Sequence, residues 1–112
     1  MKIYVAGGMR GLKDFNIPAF DSATKKLRAE GHTVFNPVEQ DCARDGLAHD
    51  ASLEDKVGAA TRTNIREALG DDLRWICQEA DCVALLPGWE NSKGARAERA
   101  TALALGLLVF EL

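Results

Sequence analysis

The sequence has no excess of basic residues. Lys and Arg number 14 against 17 Asp and Glu, for a formal net charge of −3. Duplex nucleic acid is held through a concentrated basic face, which this balance does not supply. No apolar run is long enough to cross a bilayer, and the opening residues MKIYVAGG are too short in apolar length for a secretory leader. The expectation is a cytoplasmic protein with no membrane partner. Cysteine is scarce: Cys42, Cys77 and Cys82 are odd in number and lack metal-ligand spacing. They point to reduced, buried or idle thiols and to no metal site. There is no GxxxxGK[ST], so a P-loop is excluded. A receiver-type site needs an acid at the end of the third strand, where Leu86-Pro87 stand. A dinucleotide fingerprint survives only in degraded form, as Ala6-x-Gly8-x-x-Gly11, and Asn36-Pro37 occupy the place of the acid that would hold the ribose. No repeat, linker or low-complexity stretch divides the chain, which reads as one domain over residues 1–112.

What is present alternates between two periods. Lys2 to Ala6 is β-branched and aromatic and is ended at once by Gly7-Gly8, a first buried strand. The glycine-rich loop after it carries Arg10. Asn16 and Pro18 mark the start of a helix from Ile17, with Ala19, Phe20, Ala23, Leu27 and Ala29 facing inward and Gly31 as its stop. His32 to Phe35 gives a second strand closed by Asn36-Pro37. From Val38 to about Thr61 the pattern dissolves into a long excursion, with a short helix near Ser52 to Ala59. A helix over roughly Arg62 to Glu79 follows, with Ile65, Leu69, Leu73 and Ile76 in register and Gly70 as a point of bending or splitting. Cys82 to Leu86 is a third strand, Gly94 to about Leu105 a third helix, and Leu107 to Glu111 a final strand. Such alternation implies an α/β fold of three layers, Rossmann-like or flavodoxin-like, around a small parallel sheet of about four strands.

The stretch from Cys82 to Gly106 is the expected working end. Ligands of open parallel sheets sit beyond the carboxyl ends of the strands. That turns Ser92, Gly94, Arg96 and Glu98 toward a ligand. Glu98 is the only acid in a helix of small and apolar residues. A first-turn acid also suits the helix dipole, so a structural role competes with a chemical one. The other candidates have similar rivals: Asp72 follows Asp71 on a helix, Tyr4 could be core, Ser92 could be a helix cap, and Arg10 could be half of a surface ion pair. Trp75, at helical spacing, reads as core; Trp89, on the loop, is a candidate stacking platform for a base.

Four segments together resemble the nucleoside 2-deoxyribosyltransferase superfamily, in particular its short phage and bacterial members: KIYVAGGMRG, FNP after the second strand, DLRWICQEADCVALLPGW, and NSKGARAE leading into TALALG. The resemblance implies that Glu98 is a nucleophile, that Asp72 lies near the leaving base as acid/base, and that Tyr4 orients the nucleophile. It assigns Gly7, Gly8, Arg10 and Gly11 to the sugar and any 5′-phosphate. Where nucleoside-processing members carry an Asp six residues before the nucleophile, this chain has Ser92, as in the similar deoxynucleoside 5′-monophosphate N-glycosidases. Two departures stand beside this: Gly8 occurs where those hydrolases use a second Ser, and the sequence stops at Leu112, short of the residues that relatives lend to a neighbouring subunit.

The implied activity is cleavage or transfer at the N-glycosidic bond of a nucleotide or nucleoside. It needs no metal or redox cofactor, and the implied assembly is a homodimer or higher homo-oligomer. A non-catalytic nucleotide-binding module is the alternative.

Overall fold

The computed structural model describes all of residues 1–112. Its centre is a four-stranded, wholly parallel sheet made of β1 (Lys2–Ala6), β2 (Thr33–Phe35), β3 (Cys82–Leu85) and β4 (Leu108–Glu111), in the spatial order β2-β1-β3-β4. Five helices complete it: α1 (Ile17–Ala29), α2 (Pro37–Arg44), α3 (Leu53–Arg62), α4 (Ile65–Gln78) and α5 (Lys93–Ala104). The expected three-layer α/β fold with a small parallel sheet is what forms. No helix is long and apolar enough to cross a membrane.

The layers follow from the two-residue period of the strands. On one face, Ile3, Val5, Cys82 and Ala84 pack with Ile17, Phe20 and Leu27 of α1, Val38 and Cys42 of α2, and Ala59 of α3. On the other, Tyr4, Ala6, Val83 and Leu85 meet Ile76 of α4 and Ala95 and Ala102 of α5. The small side chains of α5 let it lie close to the sheet. Phe35 stacks on Tyr4 at 5.4 Å and leans on Trp75 at 5.2 Å, and Trp75, half-buried, packs against the core on this face.

In the excursion after the second strand the short helix expected near Ser52 to Ala59 forms, as α3, whereas α2 is an addition to expectation. Val38 to Thr61 is mostly helical: α2 starts at Pro37, with the Asn36 side chain accepting from the Val38 N–H, and α3 starts behind Ser52, whose hydroxyl accepts from the Asp55 N–H. Asn-Pro, read as the end of a strand, is also an N-cap followed by an N1 proline. The helix expected from Arg62 starts instead at Ile65, because Asn64 caps it through the Glu67 N–H and Thr63 is extended. Gly70 lies inside α4 without splitting it.

The strand order reverses between β1 and β3. Chain connections leave on opposite sides there, opening a crevice beyond the carboxyl ends of these two strands.

Candidate active site

A cavity of about 920 Å³ occupies that crevice. Its floor is Tyr4 at the middle of β1, Asp72 at the middle of α4 and Glu98 in the second turn of α5. All three are buried, at 0%, 7% and 5% exposure. The Tyr4 hydroxyl donates to Glu98 Oε2 at 2.8 Å, across 94 residues of sequence. Asp72 Oδ1 is buried with no hydrogen-bond partner.

A buried acceptor without a donor is costly, and two buried carboxylates facing one cavity are more so. Both are accordingly pushed toward the protonated form. Burial and the charge of Asp72 raise Glu98 well above the usual carboxylate range, against the pull of the Tyr4 hydroxyl. Burial raises Asp72 to about 6, while hydrogen bonding to Tyr4 and Glu98 pulls it down. The two titrate as a coupled pair, in which a proton on one carboxyl favours ionisation of the other. Burial, the Glu98 charge and the Asp72 charge raise the Tyr4 phenol in turn, so it stays a donor.

One flank of the cavity is built from β3 and its loop. Ser92 caps α5, its hydroxyl accepting from the Ala95 N–H at 3.1 Å. The cap leaves the Ser92 O–H free to donate. Lys93 and Gly94, in the first turn of α5, also line the cavity, where the helix dipole favours an anion. Gly8 closes this side from β1: a Cβ there would stand 3.7 Å from the Ser92 Cβ and 3.1 Å from Leu12 Cδ1. Gly7 answers a packing demand, since a Cβ would meet Leu86 at 2.9 Å.

The other flank comes from the segment after β2. Asp41 of α2 and Thr63, after α3, line the cavity, with Ile65 and Leu69 of α4 as an apolar wall. Arg10 lines it from this side: its Nη2 donates to the Thr63 carbonyl at 3.4 Å, and its charge acts on Asp41. Between the flanks, Asp14, Phe15 and Asn16 all have positive φ, an unusual run for side-chain-bearing residues. The Asn16 amide donates to the Gly8 carbonyl at 3.0 Å and pins this turn, and Phe15 and Asn16 line the cavity.

Of the residues singled out in the sequence, the fold brings Tyr4, Gly7, Gly8, Arg10, Gly11, Asp72, Ser92, Gly94 and Glu98 to one cavity. Arg96 is exposed outside it. Trp89 is also outside: Arg99 lies over its ring at 5.0 Å and its indole N–H donates to Glu111 at 2.9 Å. Arg10 stands with Asp41 and Thr63 rather than with the Ser92 cluster. Asp41 and Lys93 were not singled out. Lys93 carried a readable signal, a cation beside the Ser92 cap, whereas Asp41 depended on recognising α2.

No curated protein and no solved structure matches the sequence. Over residues 1–111 it matches the family described as Domain of unknown function (DUF4406), and the chain belongs to that family.

Proposed function

We propose that the protein cleaves the N-glycosidic bond of a deoxynucleoside 5′-monophosphate, with Glu98 as nucleophile. The observation that carries this reading is the buried Tyr4–Glu98–Asp72 cluster on the floor of a nucleotide-sized cavity. Breaking the bond builds positive charge at the anomeric carbon, which a carboxylate beneath it stabilises and then attacks. Tyr4 holds Glu98 Oε2 and keeps the carboxylate oriented. The shared proton moves to Asp72 as positive charge develops beside Glu98.

Glu98 then forms a bond to the anomeric carbon as the C–N bond breaks; its electron pair leaves with the base, which takes the proton from Asp72. In the second step Asp72 accepts a proton from water, whose oxygen displaces Glu98 and releases the sugar phosphate. A base in place of water gives transfer. Ser92, Lys93, Gly94 and the start of α5 form the phosphate end, in keeping with the resemblance to nucleotide-cleaving members of the nucleoside 2-deoxyribosyltransferase superfamily.

A homo-oligomer fits the same reading. β4 is an edge strand, and α5 packs on its Val109 side, whereas Leu108 and Phe110 alternate to the opposite face at 63% and 38% exposure. Light scattering is expected to give a multiple of the chain mass, and a monomer would contradict self-association.

The activity test is incubation with deoxynucleosides and their 5′-monophosphates, with free base resolved by chromatography. Release from monophosphates that is lost in Glu98→Ala is expected. Release that persists in Glu98→Ala would overturn the assignment, and binding without release would favour a nucleotide-binding module.

A further inference from the structure

Asp41 is a carboxylate the catalytic scheme does not use. It lies on α2, only 6% exposed, yet it lines the cavity, and it acts electrostatically on Asp72 across it. Arg44 Nη1 donates to its Oδ1 at 2.9 Å, Arg44 is held in turn by Asp71 at 3.0 Å, and the Thr63 side chain also acts on the carboxylate as a hydrogen-bond partner. Burial raises the Asp41 carboxyl above its ordinary value, and the paired Arg44 guanidinium opposes that rise. A carboxylate accepts at about four lone-pair positions. Part of this capacity is unused by the protein.

The strand order fixes what Asp41 can meet. With β2-β1-β3 side by side, the segment after β2 and the segment after β3 flank the crevice from opposite sides, with the β1 loop between. Ser92, Lys93 and Gly94 follow β3; Asp41 follows β2. A nucleotide whose phosphate lies at the start of α5 and whose sugar lies over Glu98 therefore extends its base toward Asp41. There Ile65 and Leu69 flank the ring, and Asp41 offers acceptors alone.

We propose that Asp41 reads the base, and that the base is one with adjacent N–H donors on its outer edge, the guanine type. The inference rests on the N-glycosidic reading above. A guanine presents a ring N–H beside an exocyclic amino group, two donors to one carboxylate. Adenine and cytosine present an amino group beside a ring nitrogen acceptor, which a carboxylate repels. Thymine and uracil place one N–H between two carbonyls, which is worse. A buried acceptor built for a donor discriminates strongly against ligands that lack it.

The test compares kcat/KM for the monophosphates of deoxyguanosine, deoxyinosine, deoxyadenosine and thymidine. The wild type is set beside Asp41→Asn, which keeps a carbonyl oxygen for Arg44. Guanine is expected to exceed hypoxanthine, which lacks only the amino group, by about tenfold, and thymine by about a hundredfold or more. Asp41→Asn, with one donor and one acceptor, should lose about a hundredfold on guanine and gain on thymine.

Equal kcat/KM for all bases in the wild type, or a uniform loss in Asp41→Asn, would overturn the assignment and leave Asp41 as a partner of Arg44. If no base is released at all, the glycosidase reading fails instead. The shift in melting temperature given by each monophosphate then decides base reading alone, with deoxyguanosine monophosphate expected above thymidine monophosphate and equality counting against Asp41.

Discussion

Replacing Asp72 by Asn should make the protein more stable at neutral pH and less sensitive to pH. Asp72 is buried at 7% exposure, leaves Oδ1 without a donor and shares its surroundings with Glu98. Its carboxyl is raised from 3.8 to about 6, chiefly by burial. A carboxyl whose folded pKa lies above its unfolded value adds stability only while protonated. The contribution is full below about pH 4 and is lost as pH rises through about 6. A rise of about two units corresponds to about 3 kcal/mol at 1.36 kcal/mol per unit. Glu98, raised by burial and by Asp72, extends the loss to higher pH.

Asparagine cannot ionise, and its amide supplies a donor next to Glu98. With an unfolding entropy near 2.1 cal/mol/K per residue, about 3 kcal/mol corresponds to roughly 12 °C in melting temperature. Thermal and urea unfolding of both proteins from pH 4 to pH 8 measures the difference, which should be small at pH 4 and grow through pH 6. Parallel curves, or an Asp72→Asn protein less stable at pH 8, would refute the picture of two carboxyls forced to share a proton. The same substitution should abolish base release, so stability and activity move in opposite directions.

Tyr4→Phe removes the buried donor to Glu98 and should cost about 1.5–3 kcal/mol in urea unfolding; because Tyr4 lowers the proton affinity of Glu98, the acid limb of the kcat/KM profile should move to higher pH, and an unmoved limb would count against the orienting role. Lys93→Ala should raise KM for monophosphates by about tenfold while leaving any nucleoside turnover unchanged; an equal effect on both would remove Lys93 from the phosphate end. Gly31, at φ +94, and Gly70, within α4, both have open space where a Cβ would go. Gly31→Ala should therefore destabilise by about 1–2 kcal/mol, and Gly70→Ala should stabilise by about 0.5–1 kcal/mol, both read from denaturant midpoints.

The strands and their order of appearance were legible because each combines β-branched residues with an abrupt Gly or Pro stop, as in Lys2–Ala6 followed by Gly7-Gly8. The long α1 and α4 showed their apolar period. α2 was hidden because an eight-residue helix spans little more than two turns, so Val38 and Cys42 are too few to define a period. The cap at Asn36 was in view but served equally well as a strand stop. Tyr4, Asp72 and Glu98 could be nominated only one by one; that they meet follows from the β1–β3 neighbourhood and the packing of α4 beside α5, which no local pattern encodes. That Trp89 lies outside the cavity was hidden for a similar reason, since its partners Arg99 and Glu111 come from α5 and β4.

The nucleophilic role of Glu98 is tested most directly by trapping. A 2′-fluorinated deoxynucleoside 5′-monophosphate slows hydrolysis, because fluorine withdraws electrons from the cationic transition state, so the ester to Glu98 accumulates. Intact-mass spectrometry of the wild type should show one added fluorinated sugar phosphate, mapped to the peptide containing Glu98 and absent in Glu98→Gln. Base release without an adduct, undiminished in Glu98→Gln, would contradict the mechanism and leave Glu98 as a structural partner of Tyr4.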